Sequence, residues 1–291
     1  MPEDENQPLT KQIDTSKYQT INDLESNTFN AWYVKYYQLR HECLAEFLGT
    51  FVLMAFINGV IAAVKLGDGN FGGWTQICIG CGLGVTFGVH ASGGISGGHI
   101  NPAVSFALAV YGLLPWRKLP FYIFSQVIGA FFGALFVYVI YLPALDAHDP
   151  ERTWNKTGGI FACYPQSYEY PFSAFTTEML GTAIFLLTIM SVEDPRNMPT
   201  SPVLKPLTIG ASITAIGFSF GLPTGFALNP ARDFGPRLFT YFAGWGPEVF
   251  TGANYYFWIP IVAPMVGGVL GTGCYKMVIS RYYTKVDGEK I

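Results

Sequence analysis

The chain has 291 residues, half of them hydrophobic and only 13% charged, with a formal net charge of −3. Soluble domains carry about 25% charged residues, so the composition excludes an ordinary soluble protein, and no basic patch is offered to nucleic acid. The odd set Cys43, Cys78, Cys81, Cys163 and Cys274 forms no disulfide framework. Cys78 and Cys81 match CxxC inside an apolar stretch with no second pair, so no redox centre, metal or cofactor is expected.

In chain order, residues 1–30 are polar and aperiodic and are predicted to lack regular structure. They fall within an N-terminal tail, 1–40, that has no apolar core of a cleavable signal. Long apolar segments follow at 42–64, 74–93, 119–142, 172–192, 203–222 and 255–279. Their lengths suit helices crossing a hydrocarbon layer about 30 Å thick. Between the second and third lies Asn101-Pro102-Ala103, and between the fifth and sixth lies Asn229-Pro230-Ala231. Asn is a favoured helix N-cap and Pro a favoured first helical residue, so each tripeptide reads as a helix start. The helices they open, roughly 101–114 and 229–243, run only about 21 Å. Helices too short to cross are tolerated at membrane depth only where they line a cavity or pack inside protein.

The order long, long, short, long occurs twice, and Ala45-Glu46-Phe47-Leu48-Gly49-Thr50 matches Thr177-Glu178-Met179-Leu180-Gly181-Thr182. Three crossings per half is odd, so the second half is inverted and the two short helices meet tip to tip. The expected fold is an all-α membrane protein: six transmembrane helices plus two re-entrant half-helices in an inverted repeat. The repeats span 41–142 and 172–280, joined by an extracellular loop 143–171, with a C-terminal tail at 281–291. Twelve of the seventeen Lys and Arg residues fall on the side holding both termini, which makes that side cytoplasmic. The sequon Asn155-Lys156-Thr157 falls on the opposite side, making Asn155 a glycosylation candidate. Gly80-x3-Gly84-x3-Gly88, Gly129-x3-Gly133, Gly217-x3-Gly221 and Gly267-x3-Gly271 read as close helix contacts.

Asn101 and Asn229 are expected at the pore midplane, each offering an amide donor where two helix N-termini converge. Such a centre repels cations and accepts a neutral hydroxyl. Arg232 is a full positive charge at membrane depth and a functional candidate by that fact. Glu46 and Glu178 are the only carboxylates expected deep in spanning helices, at equivalent positions of the two halves. They read as braces for the re-entrant loops, with Asp233 and Arg237 a further structural pair. The rival reading makes Glu46 and Glu178 the proton relay of a proton-coupled carrier.

On these residues the sequence resembles the major intrinsic proteins, the aquaporins, and within them the aquaglyceroporin branch. The resemblance covers about 41–280. It rests on Ala45–Thr50, Ser96–Ala103, Gly225–Asp233, Gly159–Pro165 and Arg237–Gly246, with Asp233 and Pro260-Ile261 pointing to the glycerol branch. It implies a passive channel, not an enzyme, for water, glycerol and similar neutral solutes, assembled as a homotetramer in the lipid bilayer of the plasma membrane. It places the selectivity filter on Cys81, Gly217, Phe226 and Arg232. It places an acceptor ladder on the backbone carbonyls of Gly97, Gly98, His99, Ile100, Thr224, Gly225, Ala227 and Leu228. Cys81 departs from the aromatic usual at its position, which implies a wider slot and extends the expected solutes to larger polyols and small organic acids.

Overall fold

The computed structural model describes residues 28–283. The expectations for residues 1–27 and 284–291 lie outside the described residues. The chain divides into two compact units, 1–41 and 42–291; the described part of the first, 28–41, is the start of the first helix, and the second holds the rest of that helix and all the others.

The helices are α1 (Thr28–Leu66), α2 (Trp74–Ser96), α3 (Pro102–Val110), α4 (Leu119–His148), α5 (Pro171–Glu193), α6 (Leu204–Phe220), α7 (Pro230–Thr240), α8 (Glu248–Tyr255) and α9 (Ile259–Tyr275). Short 3₁₀ or π turns sit at Gly158–Ile160, Tyr241–Trp245, Tyr256–Trp258 and Lys276–Ser280. Among the described residues five stretches are long and apolar enough to cross a membrane: Val34–Leu66, Trp74–Ser96, Leu119–His148, Pro171–Glu193 and Glu248–Tyr283. The sixth expected crossing, α6, is apolar but has 17 residues, about 26 Å of helix. Pro223, two residues beyond Gly221, has no N–H to give the Ser219 carbonyl, so the α6 hydrogen-bond ladder cannot continue through it. Conversely, α4 continues through Pro143 to His148, so the following connection is shorter than the 143–171 expected.

The glycine pairs explain the packing of the two halves. A Cβ on Gly129 would lie 2.3 Å from Phe47 O, and one on Gly133 2.9 Å from Phe51 O. In the second half a Cβ on Gly267 would lie 2.0 Å from Met179 O, and one on Gly271 2.0 Å from Ala183 O. Phe47 and Met179 each follow the matched glutamate, so the same contact recurs in both repeats. Any larger residue forces these backbones apart. Across the halves α2 packs on α6, α4 on α7 and α9 on α3. Each half-helix is thereby held by a long helix of the other half, which fixes where the two tips meet.

Beyond the end of α5, Asp194 receives Arg196 through Nε at 3.0 Å and Nη2 at 3.1 Å, and Tyr275 OH at 3.2 Å. The Arg196 contacts hold its carboxyl below the usual range. A depressed folded pKa contributes stability above the unfolded value, lost as pH falls through the folded one. Asp194→Asn is therefore expected to lower the unfolding temperature in detergent at pH 7. The gap between variant and parent should close as pH falls below about 4. A gap unchanged at acid pH contradicts the ion-pair account.

Candidate functional site

The site is built from the two capped helix starts. Asn101 Oδ1 accepts Ala103 N at 2.8 Å, and Asn229 Oδ1 accepts Ala231 N at 3.0 Å and Arg232 N at 3.2 Å. Both are N-caps followed by Pro at the first helical position. Their amide nitrogens cross over: Asn101 Nδ2 donates to Leu228 O, and Asn229 Nδ2 to Ile100 O, both at 2.9 Å. Each asparagine thus caps its own helix and ties itself to the residue preceding the other. An amide nitrogen carries two hydrogens, so one remains on each side chain beside the cavity that both line.

The loops leading into the tips are bent through left-handed backbone. Ile100 has φ of 43°, Phe226 42° and Leu228 52°, conformations that cost roughly 1–3 kcal/mol each in non-glycine residues. The two buried glutamates hold them there. Glu46 accepts His99 N at 2.9 Å, Ile100 N at 2.7 Å, Ser96 Oγ at 2.6 Å and Gln126 Nε2 at 2.7 Å. Glu178 accepts Ala227 N at 3.0 Å and Leu228 N at 2.8 Å. Hydrogen bonds to a charged acceptor are worth about 1.5–3 kcal/mol each, enough to offset the bent backbone. His99 belongs to the same network, its Nδ1 lying 3.0 Å from Ser105 Oγ.

Two cavities meet around these loops. The inner one, about 320 Å³, extends from Leu113 and Glu193 past Val85, both asparagines and the segment 97–100 to Arg232. The outer one, about 530 Å³, is lined by Lys65, Trp74, the loop 162–167 and Gly225. Phe226 and Arg232 are the two residues common to both linings, so the constriction lies there. Arg232 is 5% exposed and its Nη1 has no hydrogen-bond partner among the described residues. A buried donor with nothing to bond is costly unless a passing acceptor serves it.

Of the other filter candidates, Cys81 lines the inner cavity. Gly217 lines neither. A Cβ there would meet Cys78 Sγ at 2.9 Å and the Phe226 ring at 3.0 Å, so its space is filled by the Phe226 ring. Gly97, Gly98, His99, Ile100, Ala227 and Leu228 line the inner cavity and Gly225 the outer. The carbonyls of Ile100 and Leu228 accept the crossing asparagines, and that of Gly225 accepts Cys163 Sγ at 3.2 Å. Thr224 is fully buried, its Oγ1 accepting Phe226 N at 3.3 Å. Burial pushes the Cys163 thiol up, which keeps the proton it donates.

Asp233 and Arg237 pair at 2.8 Å and hold the outer loop: Asp233 accepts Cys163 N at 2.8 Å, and Arg237 donates to Cys163 O at 2.6 Å and to Val249 O. Asn155 is exposed and lines the outer cavity, while Thr157 is buried and donates to Asp149 Oδ2 at 2.6 Å. Sequence reasoning missed Trp74, whose Nε1 donates to Gly217 O at 3.2 Å and whose ring meets Phe226 edge-on at 5.5 Å. A lone Trp after two glycines was its only signal.

Two capped half-helices meeting tip to tip, with a cavity on either side of one arginine, define a membrane channel. Residues 34–275 match the model of the family described as major intrinsic protein. The chain is 48% identical over 255 residues to Aquaglyceroporin-2 of Rhizophagus irregularis, covering 86% of this chain and 80% of that one. It is 43% identical over 253 residues to human Aquaporin-9, covering 86% of each. The X-ray structure of the aquaglyceroporin from Plasmodium falciparum superposes with a TM-score of 0.78 at 37% identity, covering 84% of this chain and 98% of that one. The chain belongs to the major intrinsic protein family.

Proposed function

We propose that the protein is a passive channel for water, glycerol and similar small neutral solutes. The observation that carries this reading is the buried, unpartnered Nη1 of Arg232 at the junction of the two cavities. Phe226, the other residue lining both cavities, adds an apolar ring at the same junction. A solute with hydroxyls on one edge and carbon on the other satisfies both walls. Cations meet a guanidinium and then two helix N-termini, each worth roughly half a positive charge, and are repelled. Glu46 and Glu178 have their oxygens committed to loop amides and are absent from the cavity lining, so nothing favours the proton-coupled carrier. The resemblance to the family supports a homotetramer in the plasma membrane with both termini cytoplasmic. Asn155 is the proposed glycosylation acceptor, modified before folding because Thr157 is afterwards buried.

Cys81 supplies a small wall on the inner side of the constriction, which favours passage of larger polyols and protonated small organic acids. Cys81→Trp is expected to lower glycerol influx about threefold to tenfold, on the scale by which packing contacts discriminate, with water permeability less affected. A mercurial that slows the parent should leave this variant unchanged. Measured glycerol and water permeabilities of the two proteins in proteoliposomes test this. Parental solute range and mercury sensitivity in the variant contradict a role for Cys81 in the slot.

A further inference from the structure

Trp74, Cys78 and Cys81 occupy positions i, i+4 and i+7 of α2 and so share one face of that helix. Trp74 stands two turns, about 10 Å, outward of Cys81. The two mark opposite sides of the constriction, since Cys81 lines the inner cavity and Trp74 the outer. The indole is seated, not loosely placed. Its Nε1 donates to Gly217 O at 3.2 Å, and a Cβ on Gly221 would come within 2.6 Å of its Cζ2. Its ring meets Phe226 at 5.5 Å between centroids and 78° between planes, the edge-to-face arrangement that aromatic pairs favour. Phe226 itself packs into the space left by Gly217. The pair Gly217 and Gly221 therefore forms a seat for two aromatic rings at the end of α6. Yet Trp74, which lines the outer cavity, keeps 42% of its surface exposed, while Phe226 keeps 5%.

We propose that Trp74 is the second aromatic wall of the filter, so that a solute is sized first by the Trp74–Phe226 pair outside Arg232, before it reaches the level of Cys81. The small residue at 81 then leaves the pore wide only after a solute has passed the pair. The apolar indole face meets the carbon edge of a polyol as its hydroxyls turn towards Arg232. A longer polyol must pass the same edge-to-face corner, and the corner's position is fixed by the Gly217 carbonyl.

Permeabilities of glycerol, erythritol, xylitol and water through the full-length protein in proteoliposomes test this. Trp74→Ala is expected to raise the erythritol-to-glycerol and xylitol-to-glycerol ratios about threefold or more, with water changing less than twofold. Trp74→Phe keeps a ring and loses the N–H, and is expected to retain the parental ratios within about twofold. If Trp74→Ala does not reach the membrane, Trp74→Leu preserves apolar packing and is expected to raise the same ratios about threefold. Parental polyol ratios in the Ala or Leu variant overturn the proposal. So does an equal fall for every polyol and for water, which marks Trp74 as a packing residue alone. Parental protein that conducts no glycerol at all contradicts the channel reading instead, and is seen before any variant is made.

Discussion

Asn229→Asp is expected to reduce glycerol influx roughly a hundredfold while leaving the protein folded and correctly placed. The carboxylate still accepts Ala231 N and Arg232 N, and Asp is as good an N-cap as Asn. What disappears is the donor: Asn229 Nδ2 no longer reaches Ile100 O at 2.9 Å, and a carboxylate has no hydrogen to offer. The Ile100 carbonyl then faces an anion where the two half-helix tips meet. Losing a buried partner costs about 1–3 kcal/mol, and the same charge binds hydroxyl donors where they should pass. A barrier raised by about 2.7 kcal/mol slows passage about a hundredfold. The positive meeting point of the two half-helices is also neutralised, so a cation current is expected where the parent has none. Radiolabelled glycerol influx and membrane conductance in the same cells measure both. Parental influx without a cation current contradicts the role assigned to the crossed asparagines.

Glu178→Gln is expected to cost about 2–4 kcal/mol of stability and to change no proton dependence. The carboxylate serves Ala227 N and Leu228 N with its two oxygens. An amide has one oxygen, so one of these backbone donors faces an NH₂ group instead. The loss combines an orphaned donor, about 1–3 kcal/mol, with the weakening of the remaining charge-assisted bond. It falls on a loop already held at left-handed φ at Phe226 and Leu228, which is then free to relax away from the pore. Thermal unfolding in detergent should show the loss, and Glu46→Gln should behave alike, since Glu46 braces His99 and Ile100 in the same way. Surviving channels should conduct glycerol at a rate indifferent to a pH gradient. A variant as stable as the parent, or one that abolishes proton-driven accumulation, contradicts the brace.

The parts legible in the sequence are those set by local chemistry repeated twice. Asn-Pro-Ala announces a capped helix start through one residue's side chain and the next one's missing N–H. The glycine pairs at 129/133 and 267/271 announce backbone approach. The matched glutamates announce paired acceptors in need of donors. What the sequence conceals depends on which element faces which. The crossing of Asn101 and Asn229 to Leu228 and Ile100 joins residues of opposite halves. Gly217 reads as empty space, yet the Phe226 ring occupies it. Trp74 draws no reading from the sequence, because nothing in its neighbourhood reveals that the end of α6 lies beneath it. Two helix ends differ from the sequence expectation for a related reason. α4 runs through Pro143, whereas α6 stops short of Pro223, and tertiary support decides which proline a helix tolerates.

The most direct measurement is stopped-flow light scattering of the purified protein in liposomes, following water and glycerol with and without an imposed pH gradient. The account predicts water and glycerol permeabilities well above those of empty liposomes, unchanged by the gradient, with glycerol reaching equal concentration inside and out. Glycerol accumulation driven by the gradient, or permeabilities no higher than those of empty liposomes, would contradict it.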